Sequence, residues 1–108
     1  MKKRKFVILL DSATKEQDAV LLDWIKQHPG TGWWNWLSTS WLLATANPTF
    51  TAAELRDAVD RAYPGVFNLV LELRPCGDKW NDNWAGFGPA GKKNMFDWIR
   101  QNWANPKP

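Results

Sequence analysis

A chain of 108 residues fits one domain and can bury a single hydrophobic core without disulfides or a structural metal. Its only cysteine, Cys76, has no partner for an intrachain disulfide and no CxxC neighbour for zinc, so a cytoplasmic setting is the expectation. The net charge of +3 is local: Lys2, Lys3, Arg4 and Lys5 supply four positive charges and the remainder sums to −1.

The apolar run Phe6 to Leu10 that follows this basic start stops after five residues at Asp11, too short for an export signal, and reads instead as a central strand buried on both faces. No run approaches the roughly 18 apolar residues of a membrane span, so no membrane role is expected. Thr14-Lys15-Glu16-Gln17 fits a capping box, and Val20, Leu21, Trp24 and Ile25 recur at helical spacing to about Gln27. His28-Pro29-Gly30-Thr31-Gly32 breaks that helix, and His28 stands where it can meet the terminal carbonyls. Trp33 to Leu37 and Ser40 to Thr45 then form a hairpin across Ser38-Thr39.

A second capping box, Thr51-Ala52-Ala53-Glu54, leads into Leu55, Ala58, Val59 and Ala62 on one helical face. Tyr63-Pro64-Gly65 ends it. Val66 to Arg74 is a strand whose Phe67, Leu69, Leu71 and Leu73 share the face assigned to the core, with Asn68, Glu72 and Arg74 on the other. Residues 75–94 lack periodicity and read as a long loop before a last helix at about 95–103. The whole is a single α+β domain. Its core, residues 5–75, follows the ferredoxin-like βαββαβ plan, with a four-stranded antiparallel sheet, helices on one face, the other face open, and an extra C-terminal helix. In that plan Asp11 comes close to Ser40-Trp41 and to Asn68.

The strand ending in Asp11, the Trp33-Trp34-Asn35-Trp36-Leu37-Ser38-Thr39-Ser40-Trp41 segment, the 51–62 helix and the 66–73 strand resemble the SinR-like relatives of the CRISPR-associated Cas-two proteins. The likeness covers residues 5–75 and, more loosely, Trp84-Ala85-Gly86. It implies a ferredoxin-fold homodimer, in a family where some members cleave RNA or DNA with a metal at the strand-end aspartate and others are non-catalytic nucleic-acid scaffolds. The matching residue is Asp11, which would be both metal ligand and catalytic residue, with Mg²⁺ as the cofactor of a nuclease. Where the family pattern places a basic residue soon after the aspartate, this chain has Ser12-Ala13-Thr14.

Taken by itself, Asp11 suits either a hard divalent ion, which takes one or two carboxylates plus waters, or a cap on the turn through the Ser12 and Ala13 amides. The nine tryptophans exceed what a domain of this size easily hides. Indoles on an open sheet can stack bases, which makes Trp33, Trp34, Trp36 and Trp41 candidate ligand-binding residues. Trp80, Asn81, Asn83 and Trp84 could read a ligand edge, and Arg74, Lys92 and Lys93 could meet its phosphates. Gly86 to Lys92 has the GxxxxGK spacing of a phosphate loop but lacks the closing Ser/Thr and a strand directly before it. With no Ser-His-Asp set, Cys-His pair or clustered carboxylate pair, the leading expectation is a non-enzymatic homodimer that needs no cofactor and holds a nucleotide or nucleic acid, with sequestration of a small nucleotide signal as its narrower version. A metal-dependent nuclease and a protein-binding adaptor are the alternatives.

Overall fold

The computed structural model describes residues 4–73, 97–99 and 101. The elements run β1 (Arg4–Leu10), α1 (Lys15–Lys26), β2 (Thr31–Leu37), β3 (Ser40–Thr45), α2 (Ala52–Ala62) and β4 (Asn68–Leu73). They form an α+β unit with one four-stranded sheet in the order β2-β3-β1-β4, every neighbouring pair antiparallel. This arrangement is compatible with the ferredoxin-like plan. Asp97 and Trp98 are helical, and the rest of the expected C-terminal helix and of the 75–94 loop lies outside the described residues.

Local chemistry sets the element boundaries. The Thr14 hydroxyl accepts from the Gln17 amide at 3.2 Å and the Gln17 side chain accepts from the Thr14 amide at 2.9 Å, completing the first capping box. At α2 the Thr51 hydroxyl accepts from the Glu54 amide at 3.1 Å; the return bond of a full box is not among the bonds of the described residues. Strand β2 begins at Thr31, ahead of the expected Trp33, because Gly30 turns the chain at φ +83° and the Thr31 and Thr45 hydroxyls bond at 2.8 Å. Strand β4 starts later than the expected Val66, whose amide is committed to the Tyr63 carbonyl at 3.1 Å in the turn carrying Gly65 at φ +76°.

The core lies between the helices and one sheet face. Phe6, Ile8 and Leu10 of β1 and Trp41 and Leu43 of β3 meet Leu21 and Ile25 of α1 and Leu55, Ala58, Val59 and Ala62 of α2, with Phe50 and Tyr63 closing the ends. Each of the larger apolar side chains contributes about 1.5–3 kcal/mol by leaving water. Arg4 ties the margin of this layer. Its guanidinium makes paired bonds to Glu72 at 2.9 and 3.0 Å, and donates to the carbonyl of Phe50 in the loop before α2. The bond to Glu72 raises the Arg4 pKa above its ordinary value.

Three sequence expectations are corrected. The first concerns β4: Leu69 and Leu71 are exposed on the face away from the helices, while Val70 packs on the core, Glu72 bonds Arg4, and Asn68 donates to Asp60 at 2.7 Å. The second concerns β1, which is not buried on both faces, since Leu9 is exposed and Val7 half-buried. The third concerns the far sheet face, which is not simply open. Trp98 and Ile99 lie on it and form a second apolar cluster with Trp34, Val7, Leu42 and Leu73.

Candidate functional site

The register arranges the far face in three rows across the strands. One row is Gly32, Ala44, Lys5 and Leu73; the next is Trp34, Leu42, Val7 and Leu71; the last is Leu37, Ser40, Leu9 and Leu69. A Cβ on Gly32 would stand 3.1 Å from the Trp98 indole nitrogen, so the absent side chain is what lets Trp98 lie over the first row. Lys5 in that row is buried. The last row has no such cover among the described residues: Leu9, Leu37 and Leu69, together with Leu71 of the middle row, are each 41–53% exposed.

Alternation along the hairpin distributes its tryptophans unevenly. Trp33 and Trp41 are on the helix side, in register with and next to the core residue Leu43, and their rings approach at 5.7 Å. Trp41 is buried, and its indole N–H donates to the Tyr63 hydroxyl at 3.1 Å, which in turn donates to the Asp18 carboxylate at 2.6 Å. Burial first, and the bond to Asp18 second, push the Tyr63 hydroxyl well above the ordinary phenol pKa. Trp33, propped on this chain of bonds, remains 39% exposed on the edge strand. Trp34 points the other way and is buried against Ile99, so it cannot serve as the stacking face expected of it. Trp41 is likewise removed from any direct ligand contact. Trp36 is 42% exposed beyond the register break between Trp34 and Leu37.

The structure thus brings Trp33 and Trp36 to the surface of one edge strand and takes Trp34 and Trp41 out of it. Arg74, Trp80, Asn81, Asn83, Trp84, Lys92 and Lys93 lie outside the described residues. Asp11 stands where it was expected: Leu9 pairs with Ser40, Leu10 with Asn68, and the Asp11 amide donates to the Phe67 carbonyl at 3.0 Å. Its side chain is exposed, and the expected cap on the Ser12 and Ala13 amides is not among the bonds of the described residues. Among the described residues no group of three or more His, Cys, Asp and Glu side chains could hold a metal. His28 holds the Trp24 carbonyl at 2.8 Å and its ring lies 4.1 Å from that of Trp24, the helix-end role expected of it.

Sequence reasoning missed the Asp18–Tyr63–Trp41 chain. Its members come from α1, β3 and the turn that ends α2, and nothing in their spacing announces a contact. It also missed the uncovered leucine row, although the alternation of Leu69 and Leu71 was the signal for it. No helix among the described residues is long and apolar enough to cross a membrane. No protein-family model, no curated protein and no solved structure matches the chain. The likeness to the SinR-like proteins accordingly rests on the quoted residues alone.

Proposed function

We propose that this protein is a non-catalytic binding module on a ferredoxin-like frame, which takes a nucleotide or a single-stranded nucleic acid against the tryptophans of its edge strand β2. The observation that carries the reading is the posture of Trp33. An exposed indole is ordinarily free to rotate and loses that freedom on binding, but this one rests on Trp41, itself buried and anchored through Tyr63 to Asp18. A ring held in place while keeping an open face is suited to stacking a planar base, worth about 1–3 kcal/mol for each base. Trp36, further along the strand and also exposed, offers a second indole face.

Charge supports a division of labour. The described residues carry six cationic and nine acidic side chains, leaving eight cations against two acids in the rest of the sequence. Any phosphates of the ligand would therefore be met by that remainder, which includes Arg74, Lys92 and Lys93, rather than by the sheet and helices. The single cysteine is in keeping with a cytoplasmic setting.

The test is quenching of intrinsic tryptophan fluorescence by mononucleotides, cyclic nucleotides, short RNA and single-stranded DNA, with and without Mg²⁺. Saturable quenching by one class, reduced at least about fivefold in affinity by Trp33→Ala and unchanged in Thr49→Ala, is expected. Absence of quenching by every class refutes the reading. Cleavage of RNA or DNA that needs Mg²⁺ and disappears in Asp11→Ala would replace it with a nuclease.

A further inference from the structure

We infer that the ligand is held by a single planar base enclosed between Trp33 and Trp36, one indole on each of its faces, and that a β-bulge in β2 builds this slot. The clamp rests on the nucleotide-binding reading above and narrows it to one base per chain. Trp34 pairs with Leu42 and Leu37 with Ser40, so two residues, Asn35 and Trp36, stand opposite the one residue between those partners, Trp41. In a strand without the extra residue Trp36 would alternate with Trp33 and take the far face, beside Trp34. Here Trp34 and Leu37, three apart, are both in register with far-face residues. The pair between them turns to the side of Trp41, which is the side of Trp33.

Spacing selects the occupant. Trp33 stands opposite Leu43 and Trp36 opposite Trp41, two residues along β3, which spaces their attachment points about 6.7 Å apart. Stacked bases lie about 3.4 Å apart, so a ring between two parallel indoles at that spacing meets each at stacking distance, and only one ring fits. A puckered ring, as in a sugar or a proline, is thicker than a base and would force the indoles apart. Trp41 forms the floor: it is buried, and its ring lies 5.7 Å from that of Trp33. Asn35 does not fill the interval, since its amide nitrogen donates to the carbonyls of Leu37 at 2.8 Å and Ser40 at 2.9 Å, on the side of the turn. These two bonds also fasten the bulge to the turn. The slot opens outward because β2 is an edge strand, and both indoles reach solvent. A larger flat ring system covers more of each indole, so purines are preferred to pyrimidines.

Titration calorimetry of the full chain with AMP, UMP and the dinucleotide ApA tests this. Saturation at one AMP per chain is expected, with AMP bound more tightly than UMP. Trp33→Ala and Trp36→Ala should each weaken AMP at least about fivefold, and Trp36→Phe, which keeps a flat ring, by less than about twofold. ApA should bind within about fivefold of AMP, since its second base finds no second slot. Cooperative urea unfolding retained in all three variants excludes loss of the fold as the cause. AMP affinity lowered by Trp33→Ala but untouched by Trp36→Ala overturns the clamp and leaves stacking on Trp33, the wider reading, in place. So does a stoichiometry of two AMP per chain, or ApA bound more than about fivefold tighter than AMP, as two separate stacking surfaces require. No binding of any of the three also overturns the clamp, and the wider reading falls with it only if RNA and single-stranded DNA fail to quench as well.

Discussion

Replacing Tyr63 with Phe removes one oxygen atom and leaves the packed volume nearly unchanged, so the outcome reports on hydrogen bonding rather than on a cavity. That oxygen donates to the Asp18 carboxylate at 2.6 Å and accepts from the Trp41 indole at 3.1 Å. A bond to a charged acceptor contributes about 1.5–3 kcal/mol, and a buried donor left without an acceptor costs about 1–3 kcal/mol. The two losses do not simply add. Asp18 is half-buried, and water can replace its lost donor, whereas Trp41 is enclosed and has no such recourse. A net destabilisation of about 2–3 kcal/mol follows for Tyr63→Phe, measured as the shift of the urea unfolding curve at constant m-value. Asp18→Asn keeps an oxygen to accept from Tyr63 and loses only the charge, so its loss should be nearer ~1 kcal/mol. A Tyr63→Phe loss below about 0.5 kcal/mol, or a larger loss for Asp18→Asn than for Tyr63→Phe, would refute the assignment of this chain of bonds as a structural anchor.

The raised Tyr63 pKa has a definite sign in stability. Free tyrosine ionises near pH 10, so the contribution is fully present below that value and is lost as pH rises beyond it, by up to about 1.4 kcal/mol per pH unit until the folded-state pKa is reached. Urea midpoints at pH 9 and pH 11 should fall further for the wild type than for Tyr63→Phe; equal falls would contradict the shift. At Gly32, strand preference alone would make Val stabilising, by up to ~1 kcal/mol. The 3.1 Å approach of the Trp98 indole instead predicts that Gly32→Val unfolds more easily, by about 1–3 kcal/mol. The sign of the change in thermal midpoint decides between the two.

Much of the frame was readable because it depends on local chemistry. The Thr14–Gln17 box and the i, i+3, i+4, i+7 spacing of Leu55, Ala58, Val59 and Ala62 act within a few residues, and both elements form where they were expected. Strand β4 shows where such reading stops. The alternation of Leu69, Leu71 and Leu73 separates two faces but does not say which one meets the helices, and the face bearing Asn68 and Glu72 looked like the solvent side. Those two polar residues turn inward because partners wait there, Asp60 on α2 and Arg4 on β1, both remote in sequence from the strand itself. The tryptophans failed for a related reason. Trp33 and Trp34 are neighbours with equal claims to exposure, and what buries Trp34 is Ile99, far along the chain. The far face needed a knowledge of its cover that no window around the hairpin contains.

The central position of β1 has a consequence for how the chain is made. As the polypeptide leaves the ribosome, β1 emerges before both of its partners: Arg4–Leu9 must wait for Ser40–Thr45 on one side, and Lys5–Leu10 for Asn68–Leu73 on the other. The hairpin and both helices draw on neighbours and can form early, but an apolar strand with an open edge persists until the last strand of the sheet is synthesised. The Arg4–Glu72 clasp joins the two ends of this interval and can close only after it. Slow translation between β3 and β4 would prolong the exposure of that edge, and chains arrested there are the ones for which aggregation, or the attention of a chaperone, should be greatest.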